Sequence, residues 1–189
     1  SGGRWFGHHA DHITAGCREV IDAIYADHSM TSILLTIYDD LEAMAVTYAD
    51  KSSANVTANC FNLDEIPASV STAQLPCRIL LPIGQGQSGT PTATILRGAG
   101  VQAQWNITDL FLLETAARDA GIYILAPVLM RYSVAYAEAL GKQFQFIHGY
   151  STESLTITSS IVPGMYEYPA GSGTWFYGVK CDITIDEIF

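Results

Sequence analysis

Gly84-Gln85-Gly86-Gln87-Ser88-Gly89 spells a glycine pattern that can cradle a dinucleotide pyrophosphate. It follows an apolar run, and Asp109 stands about twenty residues further on, where an acidic side chain would take a ribose hydroxyl. That chemistry needs a helix opening at the third glycine with its first amides facing the phosphates, and Thr90-Pro91-Thr92-Ala93-Thr94-Ile95 has strand or loop composition instead. The segment is therefore read as a flexible connection able to project toward a neighbouring subunit, and no cofactor is assigned. His8, His9, Asp11 and His12 are metal-ligand types close together, but a dedicated site needs a rigid element and outer hydrogen bonds to orient its ligands, so no metal is assigned and the tract is read as a solvated arm. His28 and His148 stand alone and suit surface or capping positions. Asp39 with Asp40, and Asp64 with Glu65, are adjacent carboxylates, and adjacent residues on a helix diverge by about 100°, so neither pair is placed to share a proton. No Gly-x-Ser-x-Gly elbow is present and order alone assigns no Cys–His couple, so no catalytic residue is named and a non-enzymatic protein is expected.

Bulk composition narrows the partners. Nineteen acidic against nine basic residues give a formal charge of −10, which opposes a grip on nucleic-acid phosphates and offers no footing on an anionic membrane. Charged residues make up only 15% of the chain while ten Tyr, seven Phe and three Trp are present, so much of the surface must be neutral or apolar, as in a protein that contacts copies of itself. No apolar stretch approaches the ~20 residues of a membrane span, and no secretory signal opens the chain. Cys17, Cys60, Cys77 and Cys181 are too widely spaced for a zinc knuckle or a dithiol redox pair. They read as buried thiols in a reducing compartment, Cys77 and Cys181 each standing on the apolar side of an alternating run. Asn55-Val56-Thr57 and Asn106-Ile107-Thr108 match the glycosylation acceptor pattern, which matters only after secretion and carries no weight here.

These residues must be positioned by elements that hydropathy places. Trp175, Tyr177, Val179, Cys181, Ile183 and Ile185 alternate with Phe176, Gly178, Lys180, Asp182, Thr184 and Asp186, the pattern of a long half-buried strand that organises a sheet. Leu155, Ile157, Ser159 and Ile161 alternate likewise, and a Pro- and Gly-containing segment links the two strands into an antiparallel hairpin. Val101–Thr115 reads as a long central strand, Leu75–Pro82 as a buried strand of about five residues closed by prolines, and Thr92–Arg97 as one more strand. Residues 46–74 read as a brief strand, Val46-Thr47-Tyr48, and a structured loop. Helices are predicted from Met30 to Ala45, and from Ile122 to Leu140 with Pro127 in the first turn and Gly141 beyond the end. A shorter helix is predicted around Ile13–Tyr25, within an N-terminal arm of residues 1–29 that precedes a single domain, 30–189. The fold class is α+β: a mixed, mainly antiparallel sheet packed against two to three helices, ending in a long hairpin strand. Phe176, on the polar side of its strand beside Gly178, is expected to be an exposed anchor for another subunit.

From about Met30 to Phe189 the chain resembles tail terminators and related tail-completion (neck) proteins of tailed bacteriophages. The resemblance rests on the leading helix into a short strand, Ile33–Tyr48, and on Asp64-Glu65-Ile66-Pro67 through Leu75-Pro76-Cys77-Arg78. It continues in Trp105-Asn106-Ile107-Thr108-Asp109-Leu110, the helix Pro127–Leu140 with Tyr132 and Tyr136, and Trp175-Phe176-Tyr177-Gly178-Val179 into Ile183-Thr184-Ile185-Asp186-Glu187. It implies a homo-oligomeric ring, usually hexameric, that caps the tail tube and joins it to the head–tail connector or stopper protein. Such a protein is assembled in the bacterial cytoplasm and carried in the virion, and an acidic ring lumen would repel passing DNA. On that reading Gly84, Gln85, Gly86 and Gln87 face a neighbour or the tube, and Phe176 and Tyr177 seal subunits. Two other readings are a different neck, tail or capsid-decoration protein, and a small-molecule-binding enzyme using Gly84–Gly89.

Overall fold

A computed structural model describes residues 33–61, 65–81, 92–96, 100–116, 122–144 and 155–188. The arm and short helix expected within residues 1–29 lie outside them. Helix α1, Ile33–Ala43, buries Ile37, Tyr38 and Leu41, one face at helical spacing, and the chain leaves it through the buried Met44 and Val46. A small antiparallel ribbon follows, β1 (Thr47–Ala49) with β2 (Asn55–Thr57). Asp50 closes its turn, the carboxylate accepting hydrogen bonds from the Ser52 hydroxyl and from the Ser52 and Ala54 amides. Those bonds, helped by the field of Arg131, hold its carboxyl below the usual range.

The main sheet has the order β3-β4-β6-β8-β7, with β5 also pairing β6. Strand β6, Gly100–Ala116, is its spine. Along one edge it takes β4 (Cys77–Leu81), from Cys77 opposite Leu112 to Leu81 opposite Thr108, and β5 (Thr92–Leu96) beside its first residues. Strand β3 (Asn59–Phe61) adds outside β4 as the sheet's one parallel pairing, so the sheet is mixed and mainly antiparallel, as expected. Along the other edge runs β8 (Trp175–Ile188), in register from Gln102 opposite Ile188 to Ala116 opposite Trp175, with an irregularity between Leu112 and Glu114. Strand β7, Leu155–Glu167, closes the expected hairpin with β8. It continues through Pro163 and Gly164, and the expected Pro- and Gly-containing link follows it. A proline survives within the strand because β7 is the outermost of the described strands on that side and need not donate a second ladder. The turn spans 168–174, where Gly171 (φ 80°) and Gly173 (φ 75°) take left-handed backbone.

Helix α2, Ala126–Phe144, opens after a 3-10 turn at Ile122–Ile124 and runs past Gly141, which was expected to end it. Leu140 is buried, and Gln143 Nε2 donates to Asp40 of α1 at 3.2 Å, so contacts on either side of Gly141 hold the last turn. The stretch 46–74, expected to be a brief strand at Val46-Thr47-Tyr48 and a structured loop, holds that strand as β1 and also β2, β3 and a 3-10 turn at Thr72–Gln74, elements too short to show alternation.

Both faces of the sheet are covered at one end. On the first, Leu80, Ile107, Phe111, Tyr177, Val179, Cys181, Ile183 and Ile185 pack with α1 and α2. On the second, Cys77, Ile79, Leu110, Leu112 and Phe176 pack under Val70 and Tyr168. The second cluster corrects the expectation for Phe176: it does point away from Tyr177, but Val70 and Tyr168 cover that face, leaving Phe176 0% exposed and Tyr177 7%. Neither is available as an exposed anchor. Gly178 lies opposite Leu112, and a Cβ there would come 2.1 Å from the carbonyl oxygen of Phe111, so only glycine permits this approach of β8 to β6.

Candidate assembly surfaces

A buried polar joint sets the positions of the outer surfaces. Arg78 lies in the middle of apolar β4 and Asp109 in the middle of β6, both with fully buried side chains. Asp109 Oδ2 accepts from Arg78 Nε (3.1 Å) and Nη2, and from the Tyr136 hydroxyl of α2 (2.9 Å). The guanidinium also donates to Leu41 O (3.0 Å) and Met44 O (2.6 Å) at the end of α1, satisfying carbonyls that a helix terminus leaves open. Four elements are thus tied at one point. Burial alone would pull the Arg78 guanidinium down, but the Asp109 carboxylate more than offsets it, and Arg78 stands above its ordinary value. Burial first, and the Asp109 charge second, push the Tyr132 and Tyr136 phenols well up. Tyr132 stacks on Phe111 with ring centroids 3.6 Å apart and meets Tyr48 edge-on at 5.3 Å. Asp109 is therefore committed to Arg78 and Tyr136 and is not free for a ribose hydroxyl. Thr92–Leu96, downstream of the glycine run, is strand β5, whereas the nucleotide fingerprint requires a helix after its last glycine.

Strand β7 presents a long sheet edge. Among the described residues its outer edge pairs with no strand, and from Leu155 to Tyr166 it carries no charged side chain. Thr156, Thr158, Ser159, Ser160 and Val162 are exposed. Natural sheets blunt such edges with lysines, bulges or very short strands, and a long uncharged edge is a template for another strand. The sheet face beside it is a polar ladder. Gln104 Nε2 donates to Asp186 at 2.8 Å, Thr184 Oγ1 to Asn106 at 2.9 Å and Thr108 Oγ1 to Asp182 at 2.8 Å, while Lys180 pairs with Asp182 at 2.9 Å. The three cross-strand bonds reinforce the register that burial of Ile107, Ile183 and Ile185 sets on the opposite face. On the helix side, Trp105 Nε1 donates to Glu187 at 2.6 Å.

Further along that second face a groove of about 510 Å³ opens between the 66–68 and 166–170 segments, walled by Ile66, Pro67, Leu110, Tyr166 and Tyr168 with Lys180 among its polar lining. The Tyr168 hydroxyl donates to Pro67 O at 2.6 Å and clamps the two segments.

Of the residues singled out in the sequence, Gly84, Gln85, Gly86 and Gln87 lie outside the described residues, as do the four histidine-arm positions, His28, His148, Asp64 and Cys17. Asp39 is exposed, and Asp40 accepts from Gln143. Cys60, Cys77 and Cys181 are free thiols, the last two buried as expected. Among the described residues, no three His, Cys, Asp or Glu side chains gather in a group that could hold a metal ion, and no helix is long and apolar enough to cross a membrane. The Arg78–Asp109 joint was not anticipated, although a lone arginine inside the apolar run of β4 was a legible sign that a buried counter-charge meets it. No family model, curated protein or solved structure matches the chain.

Proposed function

We propose that this chain is a structural protein of a tailed-phage virion, a tail terminator whose copies close into a ring, in the expected case a hexamer, between tail tube and head–tail connector. The observation that carries the proposal is the edge of β7, which pairs with no other strand than β8 among the described residues and carries no charge over the twelve residues from Leu155 to Tyr166. Strand addition at such an edge gains a ladder of main-chain hydrogen bonds for each subunit joined, and a repeated head-to-tail contact closes a ring when its rotation permits. The rigid joint at Arg78 and Asp109 supports the reading, since ring closure needs subunits that hold one shape. So does the low charge density of the β7 edge beside the hydrogen-bonded polar ladder. The role is architectural, with no reaction assigned.

Native mass spectrometry and negative-stain imaging of purified protein test this. A ring of fixed copy number is expected at micromolar concentration, and Thr158→Lys with Ser160→Lys, which place charge on the β7 edge, should leave smaller species. A wild-type chain that stays monomeric there overturns the ring. Labelling in particles separates a neck position from a capsid-decoration one.

A further inference from the structure

Helix α2 is buried on one side and uncovered on the other. Val128, Tyr132 and Tyr136 face the core, and at about 100° per residue the opposite positions are Tyr123, in the turn just before the helix, then Pro127, Met130, Val134, Ala137 and Gly141. All six are exposed, Tyr123 at 84%, Met130 at 56% and Val134 at 57%. Their spacing alternates four and three, the seam of a helix that packs on another helix, and no charged residue interrupts it. We propose that this seam pairs, antiparallel and across a two-fold axis, with the same seam of a second copy of the chain.

Two independent features select that occupant. The first is size. In an antiparallel pair the two kinds of seam position face each other, and with the axis between residues 135 and 136, Val134 lies opposite Ala137 of the second copy and Met130 opposite its Gly141. Met130 and Val134 then each face a small residue, in both directions, as interdigitation requires. Among the described residues nothing lies within 4 Å of where a Cβ on Gly141 would stand, which leaves room for Met130. The second feature is charge. Arg131 and Glu138 are exposed on the same flank of the seam, each one residue after a seam position of the same kind. In an antiparallel pair that flank meets itself, and in this register Arg131 of each copy meets Glu138 of the other. One register satisfies both features, and the two-fold makes each contact twice. The contact is separate from the β7 edge, and combined with a ring it would place two rings face to face.

The test uses the full chain with Cys17→Ser and the Thr158→Lys/Ser160→Lys edge changes, so that ring closure and helix pairing are read separately. Met130→Cys and Gly141→Cys together should give a covalent dimer with a short bis-maleimide that bridges one helix–helix contact. Either change alone should not, because like positions lie about 16 Å apart along the paired helices. No cross-link in the double variant, or equal cross-linking in the single ones, overturns the register. By sedimentation, Arg131→Glu or Glu138→Arg alone should weaken the dimer about tenfold, since each turns two attractions into two repulsions, and the two together should restore it. Additive weakening in the double reversal overturns the pairing.

Discussion

Replacing Asp109 by Asn keeps the size of the side chain and removes its charge, leaving the Arg78 guanidinium fully buried without a counter-ion. Breaking a buried ion pair from one side costs about 3–5 kcal/mol. Here the lower end applies: the amide oxygen of Asn can still accept from Tyr136 and from one guanidinium N–H, while Leu41 O and Met44 O keep their donors. The expected loss is therefore about 3 kcal/mol, a fall in Tm of about 6–12 °C for a domain of this size. Guanidinium denaturation followed by tryptophan fluorescence suits the measurement, because Trp105 and Trp175 are half-buried toward opposite ends of the main sheet and report its integrity. The midpoint should drop with the slope unchanged. In the charge-free double variant, Arg78→Met with Asp109→Leu, the loss should be smaller than the sum of the single losses, because removing either partner already removes their mutual attraction. An Asp109→Asn midpoint within about 0.5 kcal/mol of wild type would refute the claim that this pair ties α1, β4, β6 and α2 together.

Three further outcomes follow from the same contacts. Tyr136→Phe removes a hydrogen bond to a carboxylate and should cost about 1.5–3 kcal/mol, whereas Tyr132→Phe removes a buried hydroxyl that makes no hydrogen bond with a described residue and should be neutral or stabilising; equal losses in thermal melts would contradict this. Gly178→Ala forces a methyl onto the Phe111 carbonyl between two central strands, so chemical denaturation should show a loss of at least about 1–3 kcal/mol, and wild-type stability would show that β8 can shift freely. Burial pushes the Cys60 and Cys77 thiols from 9.0 up to about 12. Because these folded values lie above the unfolded ones, their contribution is complete below pH 9 and is lost as pH climbs toward 12, by at most about 1.4 kcal/mol per pH unit for each thiol. Denaturation midpoints should thus fall above about pH 9, and less steeply in Cys60→Ala/Cys77→Ala.

The strand pattern of β8 was legible because alternation survives wherever one face packs on helices: Tyr177, Val179, Cys181, Ile183 and Ile185 are all buried. The environment of Phe176 was not legible, since period-two alternation says which residues share a face and is silent on what covers the opposite one. The segment bearing Val70 and the turn bearing Tyr168, distant in sequence, supply that cover. Gly141 shows a related limit. Its low helix propensity marked an end at that position, and packing of Leu140 together with the Gln143–Asp40 bond carried the helix through.

From the residues alone came the α+β class, the long central strand, the terminal hairpin and two of the helices, because hydropathy period and the proline and glycine positions act locally along the chain. Tertiary structure alone decided that Arg78 finds Asp109 and that, among the described residues, β7 is left as an edge and the outer side of α2 uncovered. Each of those depends on which strands and helices become neighbours in space. That choice is made by the burial and hydrogen bonding of the whole domain, and no single segment encodes it.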